Sequence, residues 1–362
     1  MLCYNASSAA AATGASVDPR ESYASSLALY QLYVYASIPA VVSNAVCIAV
    51  FLSRQELRSK YPMFVTLTIG DLLTGLGSLL AGVYRTRLIL DNDYNRRTSF
   101  ECLRNSWPHF YIIGGQISAF IMLLMGIERI MAVYKPLFYK KYATVRLRLI
   151  VIGCCVLAAF VSLLIGYLCS YLNSDQCVIA TCSILNTTGR LYSDYNSIVI
   201  IGFPIFALIL NIMTFVGAKK SSSNASTLAE WHKVLLTLAI CTCSVVLIAV
   251  PNFLLWGYMR YWNPVFMPYL FIAFCCYSTI NLFVYFIMKA DFRQQLLFML
   301  TLGVISIADT TDNKTEARSI QVQPKVSTRG VTEMNQPSAA NSLSFLSARF
   351  SVSGLLPRSA QV

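Results

Sequence analysis

Long stretches without a single Asp, Glu, Lys or Arg constrain this chain more than any other feature. Uncharged runs cover residues 22–53, 61–70, 72–84, 105–127, 149–174, 195–218, 234–259 and 261–288, and the second and third form one segment interrupted by Asp71. About 20 apolar helical residues cross the roughly 30 Å hydrocarbon layer of a bilayer, and each of the resulting seven segments is long enough. The runs are apolar all round, without the alternation of a membrane barrel. Hydrophobic residues make up 56% of the chain and charged residues 12%, where a soluble domain carries about 25% charged. The fold class that follows is an all-α membrane protein, a seven-transmembrane helix bundle.

After the seventh segment, Lys289-Ala290-Asp291-Phe292-Arg293 leads into Leu296, Leu297, Met299 and Leu300, the pattern of a short amphipathic eighth helix lying along the membrane surface. The chain thus divides into an N-terminal segment, 1–29, without a cleavable signal, a bundle with its eighth helix, 30–303, and a Ser/Thr-rich tail, 304–362, expected to be disordered. The net charge of +12 on so apolar a chain points to loops facing an anionic leaflet and not to nucleic acid.

Positive charge also orients the bundle. Arg54, Arg58 and Lys60 against Glu56 follow the first segment, which places the N-terminus outside and the C-terminus inside. In that topology the cytoplasmic regions hold 14 Lys and Arg and the outer regions 8. One loop runs the other way: 85–104 carries Arg85, Arg87, Arg96, Arg97 and Arg104 against Asp91, Asp93 and Glu101. The glycosylation sequons at Asn5 and Asn186 fall outside, whereas the one at Asn224 falls inside.

Eight of the 12 cysteines sit in membrane segments, where a small soft hydrophobe explains them; Cys3, Cys102, Cys177 and Cys182 face the oxidising side. A disulfide between the top of the third segment and the loop after the fourth is expected, Cys102 with Cys182 favoured and Cys177 the competing partner. His109 and His232 lie on opposite sides of the membrane, and no metal-ligand spacing occurs.

Asp71 is the only carboxylate deep within a segment, at a cost of about 2.5–3.5 kcal/mol on insertion scales. Asn44, Ser118, Ser278 and Asn281 lie at similar depth, enough for a cluster around a hydrated cation or a proton. The plainer alternative is hydrogen-bonding between helices, worth about 0.6 kcal/mol per contact.

At the inner end of the third segment stands Gly126-Ile127-Glu128-Arg129-Ile130, followed by Ala132-Val133-Tyr134-Lys135-Pro136-Leu137-Phe138-Tyr139. Here the chain resembles the rhodopsin-like (class A) G-protein-coupled receptors, whose third helix ends in an acid-Arg-aromatic triplet. The resemblance covers about residues 30 to 300 and recurs in order: Asn44, Asp71, Cys102, Arg129, Pro204, Pro251, and Asn281-Leu282-Phe283-Val284-Tyr285 for the family's Asn-Pro-x-x-Tyr. Ala249 replaces the usual tryptophan before Pro251, Tyr111 stands where amine receptors carry an aspartate, and the seventh segment has no retinal-binding lysine. Together with Ile130 and the missing fourth-helix tryptophan, these departures look most like nematode serpentine chemoreceptors of the SRSX type.

The resemblance implies a receptor in the plasma membrane, that of a sensory cilium included, which binds an extracellular ligand and activates a heterotrimeric G protein. Arg129 would be held by Glu128 until activation, with Pro136 in the coupling loop, Pro251 a swing point and Tyr285 rotating inward; Asp71, Ser118 and Asn281 would bias the equilibrium through a sodium ion or a proton. Tyr111, Gln116, Asn196, Asn252, Phe253, Trp256, Phe271 and Cys275 are expected to form a largely neutral, aromatic pocket for a small uncharged ligand. The arginines of loop 85–104 support the alternative of an acidic neuropeptide. A receptor kinase and arrestin would act on the tail, and membrane lipid surrounds the bundle. A ligand-gated channel of inverted topology is the remaining rival. No catalytic motif occurs in the bundle, so no enzyme is expected.

Overall fold

The computed structural model describes residues 19–93, 95–142, 144–174, 177–178, 180–221, 227–261 and 267–301, with the side chains at 19–26, 185–186, 219–221, 227–234, 258–261 and 267–271 outside that description. Residues 1–307 form one compact unit and 308–362 another; every described residue lies in the first. The expected tail, Asn5, Asn224 and the side chain of Asn186 therefore lie outside the described residues.

In hydrocarbon a backbone can satisfy its N–H and C=O groups only internally, and the apolar runs accordingly become helices. Helix α1 (Pro19–Ser53) is followed by α2 (Gln55–Lys60) and α3 (Pro62–Leu90). A short strand, β1 (Arg97–Thr98), and α4 (Ser99–Leu103) precede α5 (Ser106–Tyr134), and α6 (Pro136–Tyr142) precedes α7 (Val145–Leu172). Strand β2 (Cys177–Val178) and α8 (Ile184–Thr187) lead to α9 (Arg190–Ser221). Then come α10 (Thr227–Ser244), a π-helical turn (Val245–Ala249), α11 (Val250–Tyr261), α12 (Met267–Met288) and α13 (Ala290–Leu300). Among the described residues, α1, α3, α5, α7, α9 and the joined α10–α11 are each long and apolar enough to cross a membrane; α12 passes the same test only together with α13, from which it is bent by 105°, and counted with it brings the spans to seven.

Local sequence sets several boundaries. Pro62, whose missing N–H costs nothing in a first turn, opens α3. Thr98 and Glu101 form a reciprocal capping box on α4, and Thr144 accepts from the Leu147 N–H to start α7. Three boundaries differ from the sequence reading. The first helix begins at Pro19, so residues 19–29 are helical. Helix α3 continues to Leu90, which moves Arg85 and Arg87 from the loop into the helix. Cys102 belongs to α4, and the third span starts only at Ser106.

Helix α3 packs most extensively on α5 and α1, and α9 on α5. The α3–α5 contact depends on two glycines. A Cβ on Gly114 would lie 2.6 Å from the Gly70 carbonyl oxygen and 2.7 Å from the Thr74 nitrogen, and one on Gly70 would lie 2.5 Å from Ser118 Oγ. Only hydrogen fits at either position, and the backbones close together as small residues allow in membrane bundles. Helix α7 buries a narrow stripe, Ile152, Ala159, Ser162, Gly166 and Ser170, while Leu157, Leu164 and Leu168 face outward.

One end of the bundle is closed by the Cys102–Cys182 disulfide and the β1–β2 pair, which join α4 to the segment before α9. Cys177 is in a disulfide of its own and does not compete for Cys102. The eight other cysteines among the described residues, Cys47 to Cys276, are free thiols, and Cys3 lies outside the described residues. The opposite end is filled by an aromatic cluster of Phe51, Phe64, Tyr285 and Phe292, with Tyr285 5.4–5.7 Å from each of the other three rings.

Gly114→Ala is expected to lower the unfolding stability of the purified chain by about 1–3 kcal/mol through overpacking. Gly153→Ala, where a Cβ meets nothing within 4 Å, should leave the thermal midpoint nearly unchanged.

Candidate functional site

The glycine contact brings α5 beside the one deep acid. Asp71 is 2% exposed, and its carboxylate accepts from Ser118 Oγ at 2.8 Å on one oxygen and from Asn281 Nδ2 at 2.7 Å on the other. Helices α3, α5 and α12 are thereby joined by hydrogen bonds to a single side chain. Asn44 stands one step away: its Nδ2 donates to the Ala40 carbonyl at 2.8 Å and to the Ser278 carbonyl at 3.3 Å. The Ser278 side chain lines, with Asp71, Thr74 and Ser118, a cavity of about 30 Å³. Asn281 Oδ1 and Asn44 Oδ1 are buried without a hydrogen-bond partner. An all-oxygen set containing one carboxylate is the donor chemistry a hard monovalent cation takes.

A second cavity, of about 60 Å³, lies toward the disulfide end. It shares Tyr111, Ile200, Asn252 and Phe274 with the first, so the two are neighbours along one axis. Of the expected pocket residues, Tyr111, Asn196 and Asn252 line it. The others are engaged elsewhere. Gln116 Nε2 donates to Asn196 Oδ1 at 2.9 Å, tying α5 to α9. Trp256 Nε1 donates to Asp194 Oδ1 at 2.8 Å. Cys275 Sγ lies 3.4 Å from Ser37 Oγ on α1. Phe253 is 55% exposed and points away from the bundle, and the Phe271 side chain lies outside the described residues.

Among the walls the sequence reading missed are Tyr33, Arg85 and Trp107, from α1, α3 and α5. The cavity thus extends beyond the expected third, fifth, sixth and seventh helices, and it is not neutral. Arg85 is 5% exposed, and its Nε donates to the Thr181 carbonyl at 3.1 Å. A signal for it existed. Ser78, Ala81, Arg85, Leu88 and Ile89 continue the helical spacing of buried positions on α3 past the last uncharged residue.

At the opposite end the structure corrects the assignment of Glu128. Neighbours on a helix point about 100° apart, and Glu128 turns toward α6 and α7, not toward Arg129. It forms an ion pair with Arg148 and accepts from Tyr139 Oη at 2.8 Å, while Arg148 Nη2 donates to the same Tyr139 oxygen at 2.8 Å. Burial, and next Glu128, push the Tyr139 hydroxyl above its ordinary range. Arg129 Nε is buried without a hydrogen-bond partner. Pro136 opens α6. Tyr285 is fully buried and packs edge-on against Phe51 and Phe64.

Pro251 sits just after the π-helical turn 245–249. A proline lacks the N–H for residue 247 and its ring crowds that carbonyl, so a widened turn there accommodates it. Asn252 Nδ2 donates to the Ile248 carbonyl at 2.9 Å within this turn. Asp291 at the start of α13 accepts from Lys60 Nζ at 2.6 Å and Tyr61 Oη at 3.2 Å. Lys60 holds the Asp291 carboxyl below its ordinary range, so this contact is present above about pH 4 and fades as pH falls through the lowered value.

Glu128→Ala leaves Arg148 uncompensated in a half-buried place and is expected to cost about 1–3 kcal/mol in thermal unfolding of the purified chain. Glu128→Ala with Arg148→Ala together should cost less than the sum of the two single changes, as a double-mutant cycle would read.

Residues 37–300, well over half of the chain, match the serpentine-type seven-transmembrane G-protein-coupled receptor chemoreceptors of the Srsx family. No curated protein sequence matches. The seven spans, the disulfide-closed end and the matched range agree: the chain belongs to the Srsx family of serpentine chemoreceptors.

Proposed function

We propose that this chemoreceptor takes a small organic ligand from outside the cell into the cavity at the disulfide end and activates a heterotrimeric G protein at the end carrying Glu128 and Arg129. One observation carries this reading. A single face of α12 bears Phe274, Ser278, Asn281 and Tyr285, all buried, at helical spacing. Phe274 lines both cavities, Ser278 and Asn281 adjoin Asp71, and Tyr285 belongs to the aromatic cluster at the far end. A ligand that shifts α12 acts on all three levels at once.

Activation selects a second arrangement of the bundle. The π-helical turn before Pro251 supplies a pliant point at which the Thr227 end of α10 can move outward. Arg129, unengaged by Glu128, then meets the G protein, with Pro136 and α6 beside it. A sodium ion held by Asp71, Ser118, Ser278 and Asn281, with the orphaned Asn281 Oδ1 as an added donor, would supply charge compensation and favour the resting arrangement. The cytoplasmic tail offers its Ser and Thr residues to a receptor kinase and arrestin. The peptide alternative weakens, since Arg85 is buried in the bundle and Arg97 is paired with Asp93 at 2.7 Å.

Cells expressing the chain with each class of Gα subunit, screened with a small-molecule library, test this. A second-messenger response that is lost in Arg129→Ala at equal surface expression, and a glycosidase shift of the natural chain that is reduced by Asn5→Gln, are expected. An agonist-evoked current that persists without G protein would overturn the reading in favour of a channel. Asp71→Asn should abolish the effect of sodium on agonist potency, where coupling of about 1–3 kcal/mol gives a 5- to 150-fold shift.

A further inference from the structure

We infer that the cavity at the disulfide end takes a compact neutral carbonyl compound, a ketone or an ester, whose oxygen accepts a hydrogen bond from the Trp107 indole. This deepens the receptor reading by naming the chemical class of its ligand, and it rests on that reading for its physiological meaning.

Trp107 lies in the first turn of α5, is 3% exposed and lines the cavity. Its ring packs in a buried cluster with Tyr33, Ala81 and the paired cysteines Cys102 and Cys182. The Arg85 guanidinium carbon lies 5.1 Å over the ring. Helix α3 also closes on its backbone, since a Cβ on Gly77 would lie 3.2 Å from the Trp107 carbonyl oxygen. The indole is therefore held from several sides, yet its Nε1 is buried without a hydrogen-bond partner.

An indole nitrogen can only donate, and a buried donor in a folded chain nearly always finds an acceptor. An acceptor for this hydrogen needs unfilled space beside the ring, and the cavity that Trp107 lines provides it. Two of the amides in its walls are already committed. Asn196 Oδ1 accepts from Gln116 at 2.9 Å, and Asn252 Nδ2 donates to the Ile248 carbonyl at 2.9 Å. A ligand that offers an acceptor oxygen and demands no acceptor in return matches this inventory, and a carbonyl group is the smallest such unit. No acidic residue is among those lining the cavity, so an ammonium group would be desolvated there without a counter-ion. The rings of Tyr111 and Phe274 suit a short hydrocarbon remainder. At about 10–15 Å³ per water-sized group, a cavity of about 60 Å³ admits about four to six heavy atoms unless its walls open. The receptor reading by itself is indifferent to ligand class; the unmatched indole N–H discriminates.

The test uses the purified full chain in lipid nanodiscs, titrated with methyl ethyl ketone, diethyl ketone and methyl acetate. The comparison compounds are the branched alkenes in which a methylene group replaces the carbonyl oxygen, and primary amines of equal size. Thermal unfolding is the readout. At least one carbonyl compound is expected to raise the midpoint at a concentration about tenfold or more below its alkene and its amine, the worth of about one hydrogen bond. Trp107→Phe, which keeps an aromatic ring and removes the N–H, should raise the half-saturating concentration of that compound about tenfold and bring it level with the alkene. Should Trp107→Phe fail to fold, the contrast of carbonyl with alkene on the unaltered chain decides. Equal shifts by carbonyl and alkene, no shift by any carbonyl compound at millimolar concentration, or unchanged carbonyl binding in folded Trp107→Phe overturns the inference. Carbonyl binding that depends on Trp107 but evokes no G-protein response would instead sink the receptor reading and leave the site standing.

Discussion

A carboxylate at mid-depth in a bundle that crosses a membrane is cut off from bulk water and leans on donors from neighbouring helices. Asp71 draws one from α5 and one from α12, and the Ser118 donor would not reach if α3 and α5 were held apart by side chains. The bare faces of Gly70 and Gly114 are therefore part of the polar centre, although neither carries a polar side chain. Around this junction the remaining parts are placed: the cavity toward the disulfide end on one side, the aromatic cluster on the other, and the face of α12 that runs through all three.

The bundle is not uniformly rigid about that centre. Helix α5 is fastened along its length, to α3 by Asp71, to α9 by Gln116 and Asn196, and to α6 and α7 through Glu128. The sixth span is interrupted by a π-helical turn, and its Ile248 carbonyl is served by a side chain, Asn252, that also forms part of both cavity walls. A ligand group competing for the Asn252 amide would act directly on the least regular turn among the described spans.

The spans were legible because a membrane demands long uncharged runs, and the deep acid with its polar companions because charge is rare there. The junction of Asp71 with Ser118 and Asn281 follows from depth along each helix, which counting residues supplies. Rotation of one helix against its neighbours does not follow from counting. Phe253, Trp256 and Cys275 sit at suitable depths, yet they face the exterior, Asp194 and Ser37. The partner of Glu128 was obscure for a similar reason: Arg148 lies 20 residues on, at the start of another helix, whereas Arg129 is adjacent in sequence but turned about 100° around the same helix. Arg85 was hidden by an assumption that charge marks the end of a span, although the buried spacing of α3 continues through it.

Tyr285 and Phe292 touch across the 105° bend between α12 and α13, and α13 is moored beside it by Lys60 and Asp291. A twist of α12 that swings Tyr285 out of its aromatic nest must therefore prise Phe292 loose or carry the surface helix along. Linkage runs both ways. If the far cavity holds the ligand as proposed, whatever grips that surface helix, whether headgroup charge or a bound protein, would also weigh on how readily the cavity closes around its guest, and the lipids at one rim would become silent participants in chemical detection at the other.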